Sequence, residues 1–220
     1  MVDIFDEINE ELRAEKAQRL LKQYGGLIFA ACLLVIAAVA GWQGWKYWQA
    51  RQDLAAANAY LTTLNAVESA PADNAAARAA ASKGFDALAT QAPEGYRTLA
   101  QLQAAAAQAA AGNLKEAATL WDQVAADSAA DPLLRDLASL LWASHQIDNG
   151  DPALLQARLK PLTTPGNAWR SLAQEQLALL DLRQGHQDEA RTAFRKLAED
   201  VTAPSGVRGR ASAMLAQLGG

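Results

Sequence analysis

The hydrophobic pattern has two regimes. The first is an uncharged run from Gln23 to Trp45, QYGGLIFAACLLVIAAVAGWQGW, 23 residues between Lys22 and Lys46. About 20 apolar residues carry a helix across the hydrocarbon core of a bilayer. Gly25 and Gly26 stand near its start, Gly41 and Gly44 near its end, so the apolar middle is unbroken. Tyr24 marks one end, and Trp42, Trp45, Tyr47 and Trp48 crowd the other. Tyr and Trp favour the membrane–water interface. The pattern predicts a leader over 1–22, a transmembrane helix over 23–45 and a second region over 46–220. The rival is a signal peptide cleaved after Ala40, since Ala38-Val39-Ala40 has small residues at the required spacing. The flank fits that poorly. A signal peptide begins with a short basic region, whereas this leader holds six acids against four bases.

Lys and Arg set the orientation of a span. Arg13, Lys16, Arg19 and Lys22 precede it, and only Lys46 and Arg51 follow closely. This places the N-terminus in the cytoplasm and the C-terminal region across the membrane. In the leader, Phe5, Ile8 and Leu12 are spaced for one helical face, and Glu15 and Arg19 for an i,i+4 pair. Ala37 with Gly41, and Ala40 with Gly44, are small-xxx-small pairs that permit close approach of another helix. Cys32, inside the run, reads as a small apolar residue.

The second regime is periodic. Gly112 is followed by Ala117 and Trp121, Gly150 by Leu155 and Leu159, Gly185 by Ala190 and Phe194. An aliphatic residue comes three later (Val124, Leu162, Leu197), and a proline closes each unit (Pro132, Pro165, Pro204). An earlier unit keeps half of this, with Ala81, Phe85, Leu88 and Pro93, but Ala76 where the glycine would be. The glycines lie 38 and 35 residues apart. Such a unit is a helix–turn–helix. Glycine supplies a left-handed turn residue, the small residue lets two helices approach, the large one fills the gap, and proline ends the second helix. One unit cannot bury its own face, so copies stack into a solenoid. The expected helices run from the leader to about Glu68, then near 75–91, 95–111, 114–127, 132–148, 152–160, 167–184 and 187–200. Pro161 should cut the 152–160 helix short. Ser205 is the expected N-cap of a last, capping helix to about Leu218, with Arg208 and Arg210 on its outer side.

The G-x4-A-x3-[WF]-x2-[LV]-…-P frame resembles the tetratricopeptide repeat over roughly residues 54–220. Two features depart from it. Gln101, Ser139 and Gln174 stand where that repeat has its first-helix Trp, and Ala70-Pro71-Ala72-Asp73-Asn74 replaces a tight turn. The layout of acidic leader, early span and Ala-rich repeats resembles the YfgM-like family, described as ancillary subunits of the SecYEG translocon. That resemblance implies a non-enzymatic inner-membrane protein whose periplasmic repeats work beside the translocon with a membrane-anchored periplasmic chaperone. The tetratricopeptide frame implies a concave partner-binding face formed by Leu99, Leu102 and Ala106, then Leu137, Leu140 and Ser144, then Leu172, Glu175, Leu179 and Leu182. Two readings fit these leucines: an apolar groove for a peptide or partner helix, or surfaces buried by neighbouring repeats and the capping helix.

Composition narrows the chemistry. There are 20 Lys and Arg against 24 Asp and Glu, a net charge of −4. Phosphate binding needs an excess of Lys and Arg, so nucleic acid is not the expected partner. Ala supplies 52 residues, and Ala is the strongest helix former, so the fold class is all-α. One cysteine excludes an internal disulfide and a multi-cysteine zinc site. His145 and His186 have no nucleophile or second His at catalytic or ligand spacing, and no phosphate-cradling glycine loop is present. No catalytic residue, cofactor or metal is therefore expected. Trp121 falls on the repeat frame and reads as core, and Trp142 and Trp169 as packing residues of first helices.

Overall fold

The computed structural model describes residues 4–69 and 75–219, with side chains described for 22–69, 80 and 82–219. The leader's apolar face, its Glu15–Arg19 pair, the connector 70–74 and the Ala76 and Ala81 side chains lie outside these. The described residues form helices and no strand. They are α1 (Ile4–Glu68), α2 (Ala75–Gln91), α3 (Glu94–Ala110), α4 (Leu114–Ala126), α5 (Pro132–His145), α6 (Pro152–Leu159), α7 (Arg170–Arg183), α8 (Gln187–Glu199) and α9 (Ser205–Gln217).

The chain divides into two compact units, Met1–Gln52 and Asp53–Gly220. In the first, the helix carries an 18-residue window of mean hydropathy 2.3, none of it buried. Its large apolar side chains, from Leu27 through Val39 to Trp48, are exposed. A soluble protein rarely leaves so continuous an apolar surface in water, so this surface suits lipid. At the far end, Lys46 lies over the Trp42 ring at 5.4 Å, and Arg51 donates to the Tyr47 hydroxyl at 2.7 Å.

In the second unit the remainder of α1 is a first helix, and α2 its partner. Phe85 of α2 packs with Tyr60, Leu64 and Val67 of α1 and with Ala100 and Ala104 of α3. The middle core gathers Leu102, Trp121, Leu140, Trp142, Leu155, Leu159 and Leu180 from α3 to α7. A third cluster joins Ala178, Phe194, Leu197, Val207 and Ala211 across α7, α8 and α9. Each cluster spans neighbouring helix pairs, the nearest-neighbour arrangement of a repeat solenoid.

Helix starts follow local chemistry. Asp131 and Asp151 each cap the helix that follows, accepting from Leu133 N at 2.8 Å and Ala153 N at 3.0 Å, with Pro132 and Pro152 in the first turn. The last helix differs from expectation: Pro204 precedes it, Ser205 is its first residue, and no side chain caps it. Proline's fixed φ starts this helix without a side-chain acceptor. α7 begins at Arg170 rather than 167, because Asn167 folds a turn in which its Oδ1 accepts from Trp169 N at 2.8 Å. α5 stops at His145 rather than 148. α6 ends at Leu159, and Pro161 sits in a 3-10 turn, Lys160–Thr163, as a residue without an N–H must.

Candidate partner-binding surfaces

Turns set the register of the later helix pairs, α3–α4, α5–α6 and α7–α8. Gly112 and Gly185 have φ of 86° and 83°, a region costly for a residue with a Cβ. Gly150 does not share it; its φ is not positive. Space explains that glycine instead. A Cβ there would lie 2.8 Å from the Gln146 carbonyl oxygen and 3.3 Å from Leu155 Cδ1. We expect Gly150→Ala to lower stability by about 1–3 kcal/mol through overpacking, read as a fall in the denaturation midpoint. An unchanged midpoint would show that the turn relaxes freely.

Beyond each glycine the small and large positions are all buried: Ala117 and Trp121, Leu155 and Leu159, Ala190 and Phe194. These set the spacing of the helix pairs and leave the first helices to form the candidate face.

That face is less open than the sequence suggests. Leu102 and Leu140 are only 7% and 5% exposed and belong to the middle core. Ten residues before its glycine, each first helix turns into its neighbour rather than outward. Glu175 holds the same position in α7 and is 5% exposed. It receives two hydrogen bonds from Arg210 of α9, both 2.6 Å. Arg210 is itself exposed, as expected for the outer side of α9, and reaches across to this carboxylate; its pKa is raised, chiefly by the Glu175 hydrogen bonds. Leu99, Leu137, Leu172, Leu179 and Leu182 are half-buried. Leu137 and Leu172 lean on the middle core, Leu179 and Leu182 on the last one. Ala106 is exposed and Ser144 half-buried.

The aromatic residues of the second unit are mostly interior. Trp142 is buried, with the Arg158 guanidinium over its ring at 3.9 Å and Asp122 of α4 paired to that Arg. Trp169 donates its indole N–H to the Leu133 carbonyl at 2.9 Å, tying the start of α7 to that of α5. Arg183 donates to the Ile147 and Gly150 carbonyls at 2.6 and 2.7 Å. His145 is exposed at the end of α5 and stacks on Trp121 at 4.5 Å; His186 is exposed before α8.

One cleft in this unit was not anticipated. A cavity of 310 Å³ runs along the seam of α7 and α8. Its floor is Leu177, Ala178, Ala193 and Leu197, and its polar lining includes Arg170, Gln174, Asp181, Lys196 and Asp200. Burial pushes the Asp181 carboxyl up, against the pull of His186 and with a further push from Glu189. Hydrogen bonds from Thr202 hold Asp200 below its ordinary range, helped by Arg170. The buried Arg170 Nε has no hydrogen-bond partner. Among the described residues, no group of three or more His, Cys, Asp or Glu is arranged to hold a metal ion.

The sequence model of the family described as a tetratricopeptide repeat-like domain matches residues 18–215. No curated protein and no solved structure matches the chain.

Proposed function

The chain belongs to the tetratricopeptide repeat-like domain family, and from that membership we propose that it is a non-enzymatic, membrane-anchored scaffold whose repeats bind protein partners. Repeat domains of this kind serve protein–protein interaction through stacked helix pairs with extended surfaces. The observation that carries the anchoring half is the unburied apolar window of α1. Its 23 uncharged residues make about 34 Å of helix, against roughly 30 Å of hydrocarbon. The excess of Lys and Arg before the span supports a cytoplasmic N-terminus and repeats on the far side, the periplasmic side of an inner membrane. The resemblance to the YfgM-like family supports the SecYEG translocon and a membrane-anchored periplasmic chaperone as the partners.

For the binding half, we propose the row of Leu99, Leu137 and Leu172, continued by Leu179 and Leu182. The first three stand thirteen residues before their glycines, one per repeat, and all are half-exposed. We leave Leu102 and Leu140 out of this row because they are buried.

Site-specific photo-crosslinking in membranes tests the proposal. Probes at Leu99, Leu137 and Leu172 sample the row; probes at the exposed Leu133 and Leu154 sample other faces. Mass spectrometry then identifies the adducts. Adducts from the row to translocon subunits or to a membrane-anchored chaperone are expected. Adducts from Leu133 or Leu154 alone would move the working surface off the row. Crosslinks confined to this chain at every probe would overturn the scaffold reading. The mass of the chain recovered from membranes settles cleavage: loss of residues 1–40 would replace the anchor with release.

A further inference from the structure

The repeats can be superposed on their glycines, and the cleft between α7 and α8 then has counterparts. Eight residues before each glycine stand Ala104, Trp142 and Leu177; eight after it stand Leu120, Arg158 and Ala193. Nine after the glycine position of the preceding unit stand Phe85, Trp121 and Leu159. In the first groove, Ala104 and Leu120 are packed with the Phe85 ring from α2. In the second, Trp142 is buried in the middle core, with Arg158 laid over its face and held by Asp122. Both grooves are closed by an aromatic ring. The third has none. Its own positions are Leu177 and Ala193, the preceding unit supplies Leu159 in place of an aromatic residue, and α6 stops at that residue. The 310 Å³ cleft is lined by Leu177 and Ala193.

We propose that this cleft is a binding site for an aromatic side chain presented by a partner polypeptide. The inference rests on the scaffold reading and names one subsite of it. The volume stands at the lower end of ligand pockets, about 300–1,000 Å³, which suits one ring rather than a docked helix. The floor offers Leu177, Ala178, Ala193 and Leu197 to the ring, and Arg170 and Lys196 supply cations beside it. A cation over an aromatic face is attracted by the ring quadrupole, and Arg158 over Trp142 shows the same pairing within this chain. Gln174 and Asp181 offer acceptors for an indole N–H or a tyrosine O–H. An aliphatic side chain would use the floor but neither the cations nor the acceptors.

The test uses the full chain in nanodiscs, with methyl-labelled Ala and Leu, titrated with Ac-Gly-Trp-Gly-NH2 and with Ac-Gly-Leu-Gly-NH2. Saturable shifts at Ala178, Ala193 and Leu177 are expected, with the Trp peptide at least about fivefold tighter than the Leu peptide. Lys196→Gln, on the exposed rim, should narrow that preference to within about twofold. Leu177→Trp, which places in the third groove the residue that fills the second, should abolish the shifts at Ala193. If that variant fails to fold, the Lys196→Gln comparison still decides. Equal affinity for the two peptides, no shifts with either, or a preference unmoved by Lys196→Gln would overturn the proposal. Partner adducts from the leucine row, without aromatic preference at the cleft, would sink this subsite and leave the scaffold standing. Aromatic binding here with crosslinks confined to this chain would do the reverse.

Discussion

Replacing Trp121 by alanine is expected to destabilise the repeat unit by about 3–5 kcal/mol. The side chain is 1% exposed and touches a core drawn from α3 to α7. Alanine would leave a cavity that the stack can collapse around only by moving two helix pairs at once, and cavities that cannot collapse carry the larger penalties. Phe194→Ala removes the corresponding residue of the last pair, in the cluster joining α7, α8 and α9, and should cost a similar amount. In a solenoid each contact acts on its nearest neighbours. Hydrogen exchange should therefore show the Trp121 loss spread over α3 to α7 and the Phe194 loss confined to α7 to α9. Trp121→Phe separates packing from polarity. The indole N–H is buried without a partner, so phenylalanine loses volume but also relieves that group, and should cost only about 1–2 kcal/mol. A loss below about 1 kcal/mol for both alanine variants would mean that these residues do not anchor the stack.

The repeat was legible because its determinants are local and recur. Glycine turns, a small residue five later, a large one nine later and a closing proline are all readable without a neighbour in view, and so was the break at Pro161. The capping helix was legible for the same reason, though its start was not. Ser205 has the chemistry of an N-cap, but Pro204 fixes the backbone first. The face of each first helix was harder. Successive positions on a helix are about 100° apart, so a half-turn of uncertainty exchanges interior and surface. Leu102 and Leu137 carry the same side chain in one frame, yet one is interior and the other half-exposed. Gly150 misled differently: it occupies the frame position of Gly112 and Gly185 but serves a close approach to the Gln146 carbonyl. The α7–α8 cleft was illegible from any single unit. It is a difference between repeats, visible only when Leu177 and Ala193 are set beside Trp142 and Arg158.

The Glu175–Arg210 pair makes the second large prediction. Leu102 and Leu140 occupy the equivalent positions of the other first helices, so a carboxylate stands here where the frame uses a leucine. The Glu175 side chain is 6% exposed and that of Arg210 57%. Arg210→Ala would leave the carboxylate buried without its cation, which costs about 3–5 kcal/mol in fully buried pairs. Water can reach the Arg210 side of this one, so we expect about 2–3 kcal/mol. Glu175→Leu alone leaves an arginine that can turn to solvent, and should cost less than about 1 kcal/mol. The double variant Glu175→Leu/Arg210→Met should match or exceed the parent, since apolar replacements of buried ion pairs are often neutral or stabilising. Hydrogen exchange at the α9 amides reads all three. If the double variant lost as much as Arg210→Ala, the pair would be holding α9 by more than mutual neutralisation. If it recovered, the pair would not be needed for the stability of the cap. Its use would then lie in specificity: the last inter-repeat contact differs chemically from the earlier ones, so α9 has one place in the stack where its arginine is satisfied.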